Sequence, residues 1–113
     1  MQQVFEGEFV APASTRGQTR PSVTSQEQAG QPPLFKVLMH NDDYTTMEFV
    51  VEVLQTVFHK PPTEAGRIML HIHFKGVGMC GVFPYEVAET KVARVHAMAR
   101  GQGYPLRCTL DRA

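Results

Sequence analysis

The sequence predicts an α+β domain with the order β-α-α-β-α-β, in which three helices pack on one face of a small antiparallel sheet. Two observations predict this class. The composition changes abruptly at Leu34, where a polar stretch gives way to patterned apolar residues. Beyond that point, short segments with strand alternation and longer segments with helical periodicity follow one another in the stated order.

The polar stretch, residues 1–33, is rich in Gln, Ser, Thr, Pro and Gly and contains no Leu, Ile or Met after Met1. Such a segment cannot bury enough apolar surface to offset the entropy lost on ordering. We therefore expect 1–33 to be a flexible, disordered extension and 34–113 to be a single folded domain.

The first strand is predicted at Leu34–His40, after two prolines that keep the preceding chain extended. Thr45 and Glu48 have the spacing of a capping box, which predicts the start of the first helix. The apolar face of this helix consists of Met47, Val50, Val53, Leu54, Val57 and Phe58. Pro61 and Pro62 are expected to end it.

The second helix is predicted to open at Thr63 and to end before Gly76, a residue suited to the left-handed position after a helix. Its apolar residues are Ala65, Ile68, Met69 and Ile72. The second strand follows at Val77–Phe83, where Gly78 and Gly81 indicate a close approach of the backbone or a bulge.

The third helix is predicted to begin with Pro84 at its first position and to end at Gly101. Its core stripe consists of Ala88, Val92, Val95 and Ala99. Leu106, Cys108 and Leu110 then alternate with polar neighbours, which is typical of a half-buried strand.

The overall composition narrows the function classes. Lys and Arg total 11 and Asp and Glu total 11, so nucleic-acid binding is disfavoured. No apolar run approaches the roughly 20 residues of a membrane helix, and Glu6 and Glu8 do not suit a secretory signal. Cys80 and Cys108 lack metal-ligand spacing and are expected to be reduced core thiols. We expect a monomer in the cytoplasm, where thiols stay reduced.

The connection between the first strand and the first helix, Asn41–Glu48, is the most informative segment. It places two carboxylates and an amide between two elements that pack into a core. Desolvated carboxylates need partners. A site with such oxygens beside apolar walls suits a small cation with an apolar substituent, such as the α-amino group of another chain's first residue.

Residues Asn41–Val50 read NDDYTTMEFV and closely resemble the NDDYTPMEFV signature of the ClpS adaptors, small partners of the Clp AAA+ proteases. The likeness continues in the same order through Ile68–His73, Cys80–Phe83, Glu86–Val92 and Pro105–Leu110, and covers about residues 33–112. The resemblance implies an adaptor without catalytic activity or cofactor. Such adaptors bind substrates with a free N-terminal Leu, Phe, Tyr or Trp and deliver them to a Clp unfoldase.

The resemblance also implies the site. The substrate's α-amino group is expected to be bound by Asn41, Asp42, Asp43 and His73. The side chain of its first residue is expected to enter a cavity lined by Thr45, Met47, Val50, Met69, Ile72 and Leu106. Met47 is the family's gate against β-branched residues. Which aspartate lies nearer the ammonium stays open. From periodicity alone, the apolar residues of this set would be assigned to the core.

A second surface is implied by Glu86 and Lys91, which match positions that the family uses to contact the N-terminal domain of a ClpA- or ClpC-type unfoldase. One departure is Thr46, which replaces the proline common at the first helical position. Because proline fixes φ in advance, we expect a slightly less pre-organised entrance to the cavity.

The main alternative is a small metal-dependent enzyme that uses His71 and His73 together with Asp42 and Asp43, all suitable ligand types. Residues two apart on a helix point about 200° away from each other around its axis. The alternative therefore requires that residues 71–73 form a strand.

Overall fold

The computed structural model describes residues 31–113, so all but the last three residues of the predicted extension lie outside the described residues. It confirms the predicted order of elements. The elements are β1 (Leu34–His40), α1 (Met47–Thr56), α2 (Pro62–Lys75), β2 (Val77–Pro84), α3 (Tyr85–Gln102) and β3 (Arg107–Arg112).

The sheet has the order β2-β1-β3, and both neighbours run antiparallel to the central strand. Val37 and Met39 on β1 are fully buried. Lys36, Leu38 and His40 point to the opposite face because side chains alternate along a strand, and they are only half-buried. One face of the sheet therefore carries the core.

The helices cover that face and enclose one hydrophobic core. α1 packs on α2, α2 packs on β2, and α3 contacts all three strands. The buried core residues are Val37, Met39, Phe49, Val50, Val53, Leu54, Val57, Phe58, Ala65, Ile72, Cys80, Ala88, Val95, Ala99, Leu106 and Cys108. Burial raises the pKa of the Cys108 thiol to about 12 and that of the Cys80 thiol as well. Both cysteines are therefore uncharged core residues, as predicted.

The glycines of β2 lie beside a bulge and close to α2. The pairing with β1 runs from Val37 opposite Gly81 to Leu38 opposite Met79, so Cys80 is an extra residue. A Cβ atom on Gly78 would lie 2.6 Å from Cγ1 of Ile72 on α2. The absence of a side chain at Gly78 thus lets α2 pack closely on the sheet.

The structure corrects five predicted helix ends. α1 ends at Thr56, so Val57 and Phe58 lie beyond it, and α2 begins at Pro62 where Thr63 was predicted. The N-cap of α1 is Thr46, and its hydroxyl oxygen accepts a hydrogen bond from the Phe49 N–H at 3.1 Å, whereas the predicted capping residue was Thr45. Pro84 is the N-cap of α3, one residue before its first position. α3 passes through Gly101 and ends at Gly103, whose φ of 77° and N–H bonds to the Ala99 and Arg100 carbonyls terminate it.

Thr46 therefore stabilises the start of α1 by a side-chain hydrogen bond that proline cannot make. Thr46→Ala should lower the free energy of unfolding by about 1 kcal/mol because the Phe49 N–H loses its partner. Thr46→Ser should retain most of the stability. Urea unfolding of the three proteins checks this, and equal midpoints for Ala and wild type would contradict the capping role.

Candidate functional site

The candidate site is a cavity of about 270 Å³ between the loop after β1, the start of α1 and the end of α2. Nine of the ten residues predicted to bind a substrate line it. They are Asn41, Asp42, Asp43, Thr45, Met47, Val50, Met69, Ile72 and His73. Residues from three separate segments thus meet only when the domain folds.

The exception is Leu106, which was predicted to line the same cavity. Leu106 is 5% exposed and belongs to the core, and it is absent from the cavity wall. It lies directly before β3, which pairs with β1 on the side opposite to β2. Arg107 pairs with His40, so Leu106 lies near Asn41, where the loop that borders the cavity begins.

The loop is shaped by the carboxylate of Asp42. Oδ1 accepts hydrogen bonds from the Tyr44 and Thr45 N–H groups at 2.8 and 2.7 Å, and Oδ2 accepts one from the Thr45 hydroxyl at 2.8 Å. Burial by itself raises the pKa of Asp42, but the bonds from Thr45 and Tyr44 outweigh it and lower the pKa below its usual value. The Asp42 carboxylate is therefore largely occupied in holding the loop.

Because the folded state lowers the pKa of Asp42, its stabilising contribution is complete above the ordinary carboxyl pKa and is lost as the pH falls through the lowered one. Asp42→Asn should reduce stability at pH 7 by about 1 kcal/mol, since its amide nitrogen cannot accept the Thr45 hydroxyl bond. The difference from wild type should shrink below about pH 4. Urea unfolding at several pH values tests this, with Asp111→Asn on β3 as the control.

Asp43 contrasts with Asp42. It is exposed, and among hydrogen bonds between residues 31–113 its carboxylate accepts none. The Asn41 N–H donates to the Gly76 carbonyl at 2.9 Å, which ties the loop to the end of α2. His73 lies in the last turn of that helix, beside the loop. One end of the cavity thus combines acceptors from Asn41, Asp43 and His73.

The other end of the cavity is apolar. Val50 and Ile72 are 7% and 2% exposed and form its floor, because each also faces the core. Met47 is 41% exposed and stands at the rim with the half-buried Met69. The Thr45 hydroxyl donates a hydrogen bond to the Asp42 carboxylate, and Thr45 also lines the cavity. The cavity therefore pairs a polar end with an apolar end.

The geometry required by the metal-enzyme alternative is not met. Residues 71–73 are helical within α2, so the imidazoles of His71 and His73 point to different sides, and only His73 lines the cavity. Within residues 31–113, no three His, Cys, Asp or Glu side chains are placed to hold one ion. In the same part of the chain, no helix is long and apolar enough to span a membrane.

A second cavity of about 290 Å³ brings together Glu86 and Lys91, the two residues of the predicted unfoldase surface. Its other lining residues are Val57, Val87, Thr90 and Arg94, which the sequence reasoning missed. The sequence could have indicated this set, because residues 87, 90, 91 and 94 have the i, i+3, i+4, i+7 spacing of one helix face. Because most residues of that face are polar, a search for apolar periodicity did not detect the face.

Lys91 also stabilises the fold. Its ammonium donates a hydrogen bond to the Val57 carbonyl at the end of α1 at 2.8 Å and lies 5.4 Å from the centre of the Phe83 ring. Burial, followed by the nearby charge of Arg94, lowers the pKa of Lys91. Lys91 therefore joins α1, β2 and α3 at this cavity, while Glu86 stays exposed.

Comparison with known proteins identifies the family. The family model described as ClpS, ATP-dependent Clp protease adaptor protein ClpS, matches residues 30–109. The adapter protein ClpS of Nitratidesulfovibrio vulgaris (strain DSM 19637 / Miyazaki F) is 64% identical over 86 residues, which cover 76% of this chain and 86% of that protein. The ClpS protein of Maricaulis maris is 61% identical over 82 residues, 73% of this chain and 75% of the relative.

Among solved structures, that of Agrobacterium tumefaciens ClpS2 bound to L-phenylalaninamide matches with a TM-score of 0.71 and 35% identity. The match covers 74% of this chain and 100% of the Agrobacterium chain. The family model spans most of the sequence, and the relatives are identical at well over half of the aligned positions. The chain therefore belongs to the ClpS family of ATP-dependent Clp protease adaptors.

Proposed function

We propose that this adaptor binds substrates whose first residue is Leu, Phe, Tyr or Trp with a free α-amino group, and delivers them to a Clp AAA+ unfoldase. The observation that carries the proposal is the division of one cavity into an acceptor end and an apolar end. L-phenylalaninamide, the ligand named for the Agrobacterium protein, has two matching parts, a free amino group and a large apolar side chain.

The polar end suits an α-ammonium group. Such a group has a reference pKa near 8 and is mostly charged at neutral pH, so burial requires several acceptors. Asp43 supplies the charge and Asn41 a side-chain oxygen. His73 supplies an imidazole nitrogen when the ring is neutral at that atom. Asp42 acts indirectly by fixing the loop, since its carboxylate already accepts three bonds.

The apolar end suits an unbranched or aromatic side chain. Burial of a Leu or Phe side chain contributes about 1.5–3 kcal/mol. Met47 stands at the rim, so a substituent on the β-carbon of the incoming residue meets its side chain. Val and Ile are thus rejected by contact at the entrance, although both are apolar.

Fluorescence anisotropy with labelled peptides that differ only in the first residue tests this proposal. Leu and Phe peptides should bind, and Val and Ile peptides should bind about tenfold more weakly. Met47→Ala should narrow that difference, whereas Met98→Ala, on α3 outside the cavity, should leave it unchanged. Equal binding of Leu, Val and Ser peptides to wild type would reject the proposal.

We propose the second cavity as the contact with the N-terminal domain of a ClpA- or ClpC-type unfoldase. Glu86 is exposed at its edge and able to meet a cationic partner group, while Lys91 and Arg94 favour an acidic one. The exposed side chain of Val87 offers apolar area that a partner can desolvate.

Glu86→Lys should weaken binding to the isolated unfoldase domain without changing the affinity for a Leu peptide, because the two cavities share no lining residue. Glu89→Lys is the matched control, since Glu89 is exposed on α3 but does not line the second cavity. Equal effects of the two substitutions on unfoldase binding would remove Glu86 from the proposal. The setting we propose is the bacterial cytoplasm with the adaptor as a monomer, which suits its two reduced cysteines.

A further inference from the structure

A third concave surface lies beside the candidate site. This outer groove, of about 400 Å³, is lined by Met47, Glu48, Val51 and Met69. Met47 and Met69 also line the site cavity, so the two methionines form a wall shared by both. Glu48 and Val51 line the outer groove alone. A ligand that leaves the cavity over this wall enters the outer groove.

The groove has an apolar floor and one carboxylate. Val51 and Met69 are half-buried against the core, and Met47 is 41% exposed. Methionine side chains adapt to ligands of different shape. The Glu48 carboxylate is exposed in the first turn of α1. This combination suits a side chain with an aliphatic stem that ends in a cation, as in Lys and Arg.

The direction of a bound peptide follows from strand geometry. Side chains alternate along an extended chain, so the first and third point to the same side about 7 Å apart, while the second points away. With the first side chain in the cavity and the chain running over the two methionines, the third side chain would lie over the outer groove. The second side chain is left facing solvent.

We propose that the outer groove binds the side chain of the third residue of the substrate and favours Lys or Arg over Asp or Glu there. This inference rests on the proposed function and adds a second position to its specificity. L-phenylalaninamide ends at its first residue, so that ligand does not reach such a groove. A substrate's affinity would then depend on two side chains, one read by the cavity and one by the groove.

The test uses labelled peptides that begin Leu-Ser-X and Leu-X-Ser, with Lys, Leu, Ser or Glu at X. Wild type should bind Leu-Ser-Lys about three- to tenfold more tightly than Leu-Ser-Glu, the range expected for one exposed ion pair against one repulsion. Glu48→Lys should reverse that ratio. Glu52→Lys, the same change one turn along α1 and outside the groove, should leave it within about twofold of wild type.

The ratio of two affinities is insensitive to partial unfolding of a variant. Val51→Ser provides a second measure, since it should weaken Leu-Ser-Leu about threefold and leave Leu-Ser-Ser unchanged. Provided that Leu-Ser-Ser binds, three results would overturn the inference. The wild-type affinities for Leu-Ser-Lys and Leu-Ser-Glu could be equal, Glu48→Lys could leave their ratio unchanged, or the protein could discriminate at the second residue instead. If Leu-Ser-Ser does not bind, both the proposed function and this inference fail.

Discussion

A peptide that begins with acetyl-Leu should bind at least about 100-fold more weakly than the same peptide with a free amino group. Acetylation removes the positive charge and leaves the acceptors of Asn41, Asp43 and His73 desolvated and short of donors. Each hydrogen bond to a charged group contributes about 1.5–3 kcal/mol, and the loss of two corresponds to about two orders of magnitude in affinity. Anisotropy with the two peptides measures the ratio directly.

The ratio of the affinities for the free and the acetylated peptide also tests the role of Asp43. Asp43→Asn should weaken the free-amine peptide at least about tenfold and change the acetylated peptide little, because it removes a charge that only the ammonium requires. Asp111→Asn, on β3 and outside the cavity, should change neither. Binding of the acetylated peptide within about threefold of the free one would show that the cavity does not recognise the α-amino group.

Gly78→Ala should have the largest effect on the fold among single-methyl additions, lowering the free energy of unfolding by about 1–3 kcal/mol. The new Cβ would lie 2.6 Å from Cγ1 of Ile72 and 3.4 Å from Cδ2 of His71, so α2 must move away from β2. Ile72 is β-branched and cannot simply rotate aside. Since Ile72 also forms the cavity floor, the affinity for a Leu peptide should fall as well.

Gly66→Ala is the matched control for that substitution. Gly66 lies inside α2, and a Cβ atom added there would meet no neighbouring atom within 4 Å, so alanine should stabilise the helix by about 0.5–1 kcal/mol. Thermal unfolding of both variants should give shifts of opposite sign. A Gly78→Ala protein as stable as wild type would mean that α2 and β2 pack less closely than the structure has them.

The elements of this fold were predictable because each is patterned locally. The apolar spacing of α1 and the alternation of β1 both follow from one period along the chain. The helix ends were less predictable because adjacent residues compete for one role. Thr45 and Thr46 are both suitable caps, and the choice is decided by Asp42, whose carboxylate takes the Thr45 hydroxyl.

The residues of the site also differ in how far the sequence predicts them. The family motif predicted nine residues of the cavity wall, since the motif is contiguous or follows helical spacing. Leu106 is buried in the core, and burial in a core and exposure to a cavity produce the same apolar pattern in a sequence, so its role in the pocket stays a prediction. The hydrogen bond of Lys91 could not be predicted from the sequence, because its partner Val57 is 34 residues away and contributes only a backbone carbonyl.

Helix α1 links the two proposed binding surfaces. Its first turn borders the cavity through Met47, and Val57, which follows its last turn, borders the second cavity. Ten residues of helix span about 15 Å. In the arrangement we propose, a substrate and an unfoldase occupy opposite ends of a short rigid rod without competing for surface. Once the substrate is bound to the adaptor, it meets the unfoldase at an effective concentration in roughly the millimolar range, whatever its concentration in the cell.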